Sequence, residues 1–147
     1  MNNPLKRDFQ ILRFLFVMLL VGQFVFLLAA LFFIHDEQPI PWTDFLQKPM
    51  LSMAPGSVFL AIVLAQVVQF FQNKKKRRLN SLPAKMHHYR DTVILKAAFF
   101  EMSSLYCIAL SAVLQNLTPL VFFAISTMLF LWLWPTVGRL KAGYGLE

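Results

Sequence analysis

Apolar residues in this chain gather into four blocks, at about 14–34, 51–71, 93–114 and 117–134, with polar residues between them. Within a block they follow neither the period of an amphipathic helix nor that of a half-buried strand, because nearly every position is apolar. Each block runs 18 to 22 residues, and about 20 residues at helical rise cross the ~30 Å hydrocarbon core of a bilayer. Lipid offers backbone groups no hydrogen bonds, so a spanning segment is a helix unless it belongs to a closed barrel of alternating ten-residue strands. The pattern predicts an all-α fold, a single transmembrane domain over residues 1–147 built as an integral membrane bundle of four transmembrane helices. A basic connector at about 73–92 and an outer loop at about 35–55 separate them.

Charge fixes the expected orientation. The chain is 58% apolar and 14% charged, with a formal net charge of +7. Thirteen of its fourteen Lys and Arg lie in the N-terminal tail, in or at the edge of the connector, or in the C-terminal tail, while Lys48 sits in the outer loop beside Asp36, Glu37 and Asp44. This is the positive-inside pattern, and it predicts cytoplasmic N- and C-termini and a cytoplasmic connector. Lys74, Lys75, Lys76, Arg77 and Arg78 form a run that suits anionic headgroups, at about 1 kcal/mol per cation. A purely topogenic charge cluster is the plainer alternative. Nucleic acid is not expected as a partner, since the run is short and lies against the membrane. The first apolar block is longer than a signal-peptide core and has no small-residue cleavage site before His35, so it reads as an anchor.

Polar residues inside the blocks are few, and each needs a reason. Gln23 in the first helix reads as an interhelical packing contact. Pro39, Pro41, Pro49 and Pro55 exclude a long helix across the outer loop and start the second helix near Pro55-Gly56. His35, Asp36 and Glu37 read as a solvated loop, and the adjacent His87 and His88 point apart on a helix, so no metal site is expected. Gln66 and Gln69 share a face expected to look into the bundle. The third helix is the exception to its neighbours: Glu101 lies eight residues in from the start of its block, about 12 Å at helical rise. Ala97, Glu101, Ser104 and Ile108 form a small and polar stripe, continued by Ser111 or Ala112, suited to close helix packing. A carboxyl at that depth is a candidate proton or ion site by default, with Gln66, Gln69 and Ser104 as its expected neighbours. The competing reading is a glutamate that only bonds across the bundle. No Ser/His pair, paired acids, haem-ligand histidine or Gly-rich phosphate loop lies at membrane depth, so neither enzyme activity nor a cofactor is expected.

Two segments can be laid on each other. Residues 7–13 (RDFQILR) match 90–96 (RDTVILK), and 58–62 (VFLAI) match 121–125 (VFFAI), each pair at equivalent helices. This pattern is that of two duplicated hairpins in one orientation, although membrane composition also produces such matches. In that alignment Met18 stands opposite Glu101.

Residues 97–108 (AAFFEMSSLYCI) locally resemble the carboxylate helix of rotary ATP synthase proteolipids, in which an acid is followed by small residues and an aliphatic-Tyr-Gly-aliphatic run. The resemblance covers a dozen residues, and the second helix lacks that family's glycine-rich stripe. Across the whole chain, Tyr89-Arg90, Glu101, Asn116 and Trp134-Pro135-Thr136 before a basic tail resemble a family of small four-helix proteins of bacterial inner membranes. That resemblance implies an inner-membrane location and no particular activity. The function expected is that of a non-enzymatic helical subunit, forming a homo-oligomer or accompanying other membrane subunits. The alternative is a proton-coupled small transporter or proteolipid-like conductor that uses Glu101.

Overall fold

A computed structural model describes residues 4–34, 49–76 and 81–144 of the chain. Regular structure among these residues is entirely helical: α1 Pro4–Leu31, α2 Pro49–Lys76, α3 Leu82–Leu114, α4 Pro119–Trp132 and α5 Val137–Tyr144. The outer-loop residues His35, Asp36, Glu37, Trp42, Thr43, Asp44, Phe45 and Lys48, and Arg77 and Arg78 of the basic run, lie outside the described residues. Helices α1, α2 and α3 are each long and apolar enough to cross a membrane. Helices α4 and α5 reach that length only together, as a pair bent by 69°. The chain therefore carries three candidate spans, or four if the bent pair counts as one.

The helices outrun the apolar blocks. Helix α1 opens at Pro4, where a missing N–H costs nothing in the first turn, and continues through Arg7, Asp8 and Arg13 because charged residues do not break a helix. Helix α2 starts at Pro49 and passes through Pro55, which was expected to mark its beginning. Pro55 forgoes one bond to the carbonyl four residues back, a loss that membrane helices tolerate. Helix α3 starts eleven residues before its apolar block: Ser81 is extended at φ −101°, ψ 146°, and Pro83 follows in the first turn. The second half of the expected connector is thus helix, and α3 at 33 residues is about 50 Å long.

Helix α3 ends where Gln115 turns left-handed, at φ 53° and ψ 38°. The Gln115 N–H then reaches the Ala112 carbonyl at 3.4 Å and the Asn116 N–H the Ser111 carbonyl at 3.1 Å, the paired closure typical of helix C-termini. The Asn116 side-chain oxygen accepts the Thr118 N–H at 2.9 Å, which aims the chain into α4. At the other end of α4, Pro135 stops the helix. Thr136 Oγ1 then accepts the Arg139 N–H at 3.3 Å and opens α5.

Helix α3 is the centre of the molecule, packing against α1, α2, α4 and α5. Its small stripe makes that possible: Ala97, Ser104, Ile108 and Ser111 are fully buried within the chain itself. The expected duplicated hairpins are not packed alike, since α3 and α4 run along each other whereas α1 and α2 both pack on α3. Ring contacts fix direction. Phe9 meets Tyr89 with centroids 5.9 Å apart, and Phe24 meets Phe123 at 6.3 Å. The start of α1, the end of α2, the start of α3 and the α4–α5 corner therefore share one end of the bundle, and that end is basic. Outward, Phe14, Met18, Val25, Leu28, Phe59 and Met128 are exposed along the spans, as a lipid-facing surface requires.

Candidate functional site

Glu101 sits half-buried on α3 at the edge of the small stripe, and looks outward toward α1. It lines an open groove of about 550 Å³ with Gly22, Phe26, Leu105, Tyr106 and Ala109. Among the described residues neither a hydrogen bond nor an ion pair reaches its carboxyl. The groove is apolar apart from Glu101 itself and Tyr106, whose hydroxyl turns away to Met53 Sδ at 3.3 Å. Gly22 leaves the groove floor open, since a Cβ there would meet nothing within 4 Å.

The residues expected around Glu101 are dispersed. Gln66 is exposed, contrary to the inward orientation expected from its spacing with Gln69. Three residues span only about 300° of a helical turn, and that offset carries Gln66 past the α2–α3 contact to the outer surface. Gln69 does face inward, where its Oε1 accepts a hydrogen bond from Lys96 Nζ and its Nε2 donates to Asn73 at 2.8 Å. Lys96 thus turns to α2, away from Glu101. Ser104 is fully buried, and its hydroxyl has no hydrogen-bond partner.

Other polar residues of the spans bond across the bundle. Gln23 on α1 is fully buried and its Oε1 accepts from Thr127 Oγ1 of α4 at 3.4 Å, while its Nε2 has no partner. Ser126 Oγ donates to the Phe100 carbonyl at 2.8 Å, and the Ser57 and Ser103 hydroxyls lie 3.2 Å apart between α2 and α3. Each ties a satellite helix to α3 or α1, as membrane helices use small polar residues.

Of the basic run, Lys74 lies over the Phe70 ring at 4.6 Å, Lys75 is exposed, and Lys76 turns inward over the Tyr144 ring at 5.0 Å. Lys76 leads into a second cavity, of about 220 Å³, which the sequence reading did not anticipate. Gln69, Gln72, Lys76, His88, Lys96 and Arg139 supply its polar wall, and Tyr89, Leu133 and Tyr144 its rings and apolar patch. His88 is buried, with Nδ1 against the Tyr144 hydroxyl, whereas the adjacent His87 is exposed and within 3.1 Å of Arg90. Arg139 reaches back to the Trp132 and Trp134 carbonyls at the end of α4, and Arg13 Nε donates to the Pro135 carbonyl at 3.4 Å. The signal for this cavity was present in the sequence: His88, Thr92 and Lys96 recur every four residues, as do Gln69, Asn73 and, three further on, Lys76. It was hidden because residues 73–92 read as an irregular connector, on which helical spacing has no meaning.

Among the described residues no group of three His, Cys, Asp or Glu is placed to hold a metal ion. No protein-family model matches the chain, and neither a curated protein nor a solved structure is significantly similar to it.

Proposed function

We propose that the chain is a small multi-pass, non-enzymatic subunit of the bacterial inner membrane that works in an assembly, as a homo-oligomer or beside other membrane subunits. In this reading it spans four times, counting the bent α4–α5 pair, with both termini and the basic end cytoplasmic. The observation that carries the proposal is the Glu101 carboxyl, which has no partner among the described residues and opens on a lipid-facing groove. A carboxyl at the centre of a span costs at least about 2.5 kcal/mol when left in lipid. A hydrogen-bond donor on a neighbouring subunit removes that cost, and Gly22 gives such a helix room to approach. Assembly through the Ala97–Ser104 stripe is set aside, because that stripe is consumed inside the chain.

The test is native mass spectrometry of the intact chain extracted in mild detergent, compared across three variants. Gly22→Leu adds a side chain to the groove at a position where a Cβ meets nothing within 4 Å, and is expected to dissociate the assembly while leaving the fold intact. Glu101→Leu removes the carboxyl and is expected to act likewise, whereas Glu101→Gln keeps hydrogen-bonding capacity and is expected to assemble. An assembly unchanged by both Gly22→Leu and Glu101→Leu sinks the reading.

A second reading, proton-coupled transport or conduction through Glu101, is supported by the same unpaired acid. The apolar lining of the groove supports it less, since proton movement needs a relay of polar groups. It predicts that Glu101→Gln assembles normally yet abolishes proton-dependent flux in proteoliposomes.

A further inference from the structure

The cavity at the basic end goes beyond the assembly reading and does not depend on it. Its described polar lining carries three cationic side chains, Lys76, Lys96 and Arg139, and no carboxylate. The nearest described acid on α3, Asp91, points to solvent and pairs with Arg90 at 3.7 Å. Lys76 and Lys96 are part-buried, whereas Arg139 is exposed and already bonds the Trp132 and Trp134 carbonyls. Like charges sharing one cavity repel, the more so where solvent is partly excluded. Among the described residues Lys96 is met only by the neutral Gln69 and Lys76 only by the face of Tyr144.

A second observation is independent of charge. His88 is 8% exposed and lines the cavity, and its Nε2 is buried without a hydrogen-bond partner. When the Tyr144 hydroxyl donates to Nδ1, the ring proton resides on Nε2, a buried donor that has the Gln72 backbone carbonyl beside it but makes no well-formed hydrogen bond. Gln72 Oε1, in the same lining, is a buried acceptor equally without a partner. Unmet buried polar groups are uncommon, and these two, a donor and an acceptor, fall in one cavity, where a ligand with an acceptor and a donor satisfies both.

We propose that this cavity binds a phosphate group that carries at least one hydroxyl, with Lys76, Lys96 and Arg139 balancing its charge, His88 Nε2 donating to a phosphate oxygen and Gln72 Oε1 accepting from the hydroxyl. A phosphate satisfies all of these contacts at once, and the cavity of about 220 Å³ corresponds to about seven waters of liquid volume. Two sources share this chemistry: the phosphoglycerol headgroup of an anionic lipid and free phosphate or a phosphomonoester. The cavity lies where α2 ends and α3 and α5 meet, at the edge of the apolar stretches, a place that suits headgroups in this reading.

The experiment uses the full chain in neutral detergent, in high-salt buffer that screens exposed charges. Retention of phosphatidylglycerol against phosphatidylcholine is read by native mass spectrometry, and stabilisation by inorganic phosphate against chloride by thermal unfolding. Lys76→Gln/Lys96→Gln is compared with Lys85→Gln/Lys141→Gln, which removes the same charge from two lysines outside the cavity lining. Binding is expected to fall about fivefold for each cavity cation removed and to change little in the outer pair. Equal losses in the two pairs overturn the proposal, since they mean diffuse surface charge. His88→Phe keeps the ring and removes the donor, and is expected to weaken binding about tenfold or more. Wild-type binding by that variant overturns the role of Nε2. Lys96→Arg, which keeps charge and reach, restores binding if Lys96→Gln acts through charge and not through misfolding. Retention of phosphatidylglycerol with no response to phosphate assigns the site to a lipid headgroup, the converse assigns it to a soluble phosphate, and neither response overturns it.

Discussion

Ser104 is fully buried with no partner for its hydroxyl, because the Phe100 carbonyl one turn earlier is taken by Ser126. Ser104→Ala is therefore expected to change stability by less than about 0.5 kcal/mol, since no hydrogen bond is lost. Ser104→Leu is expected to cost about 1–3 kcal/mol by overfilling the contact with neighbouring helices. Thermal unfolding in detergent reads both, and a large loss in the alanine variant would show a bond that the geometry does not hold. Gln23 behaves differently. Its single bond to Thr127 crosses the bundle, so Thr127→Val is expected to lose about 1 kcal/mol by stranding the whole amide. Gln23→Leu, which removes the amide with its need for partners, is expected to be the milder of the two. At this scale the sequence was informative about which residues are unusual and silent about their partners. Glu101 was legible because ionisable residues are rare at that depth. That Lys96 pairs with Gln69 rather than with any acid depends on how α2 and α3 are rotated, which no single-helix periodicity contains.

Among elements, the α4–α5 corner departs furthest from what the apolar pattern implied. Helix α4 holds 14 residues, about 21 Å at helical rise, which falls short of the ~30 Å hydrocarbon core. Pro135 ends it, and the carbonyls left open at its end are met by Arg139 while Arg13 of α1 takes the Pro135 carbonyl. Thr136→Ala removes the hydroxyl that caps α5 and is expected to cost about 1 kcal/mol, with faster amide exchange confined to residues 137–140. Uniform loss of protection along α4 and α5 would contradict this. The existence of the helices was legible because lipid leaves the backbone no other choice. Their ends were not, because Arg7, Asp8, Lys85 and Arg90 are polar without being helix breakers, Pro49 falls in the first turn, where proline does no harm, and Pro55 costs only one bond.

For the molecule as a whole, the alternation of helix directions gives a prediction about sides. Cysteines introduced at Ser81 and Ala142 are expected to be labelled by an impermeant maleimide from one side of the membrane, and at Gln115 from the other, in a Cys107→Ser background. Labelling of Ala142→Cys from the side of Gln115→Cys would reduce the spans to three and leave the bent pair within one leaflet. The central place of α3 bears on how the protein is made. Helices α1 and α2 leave the ribosome first, and each has its main contacts with a helix not yet synthesised. From Lys76 to Leu114 the ribosome adds 38 residues, which takes about 2–8 s at ordinary elongation rates. For that interval the nascent chain holds two insertion-competent segments, with Gln23 and Ser57 facing acyl chains in place of helices. A pause or truncation within α3 would thus deliver to the membrane's proteases and chaperones a fragment with its polar seams open, and translation speed across residues 82–114 becomes a determinant of how much protein survives.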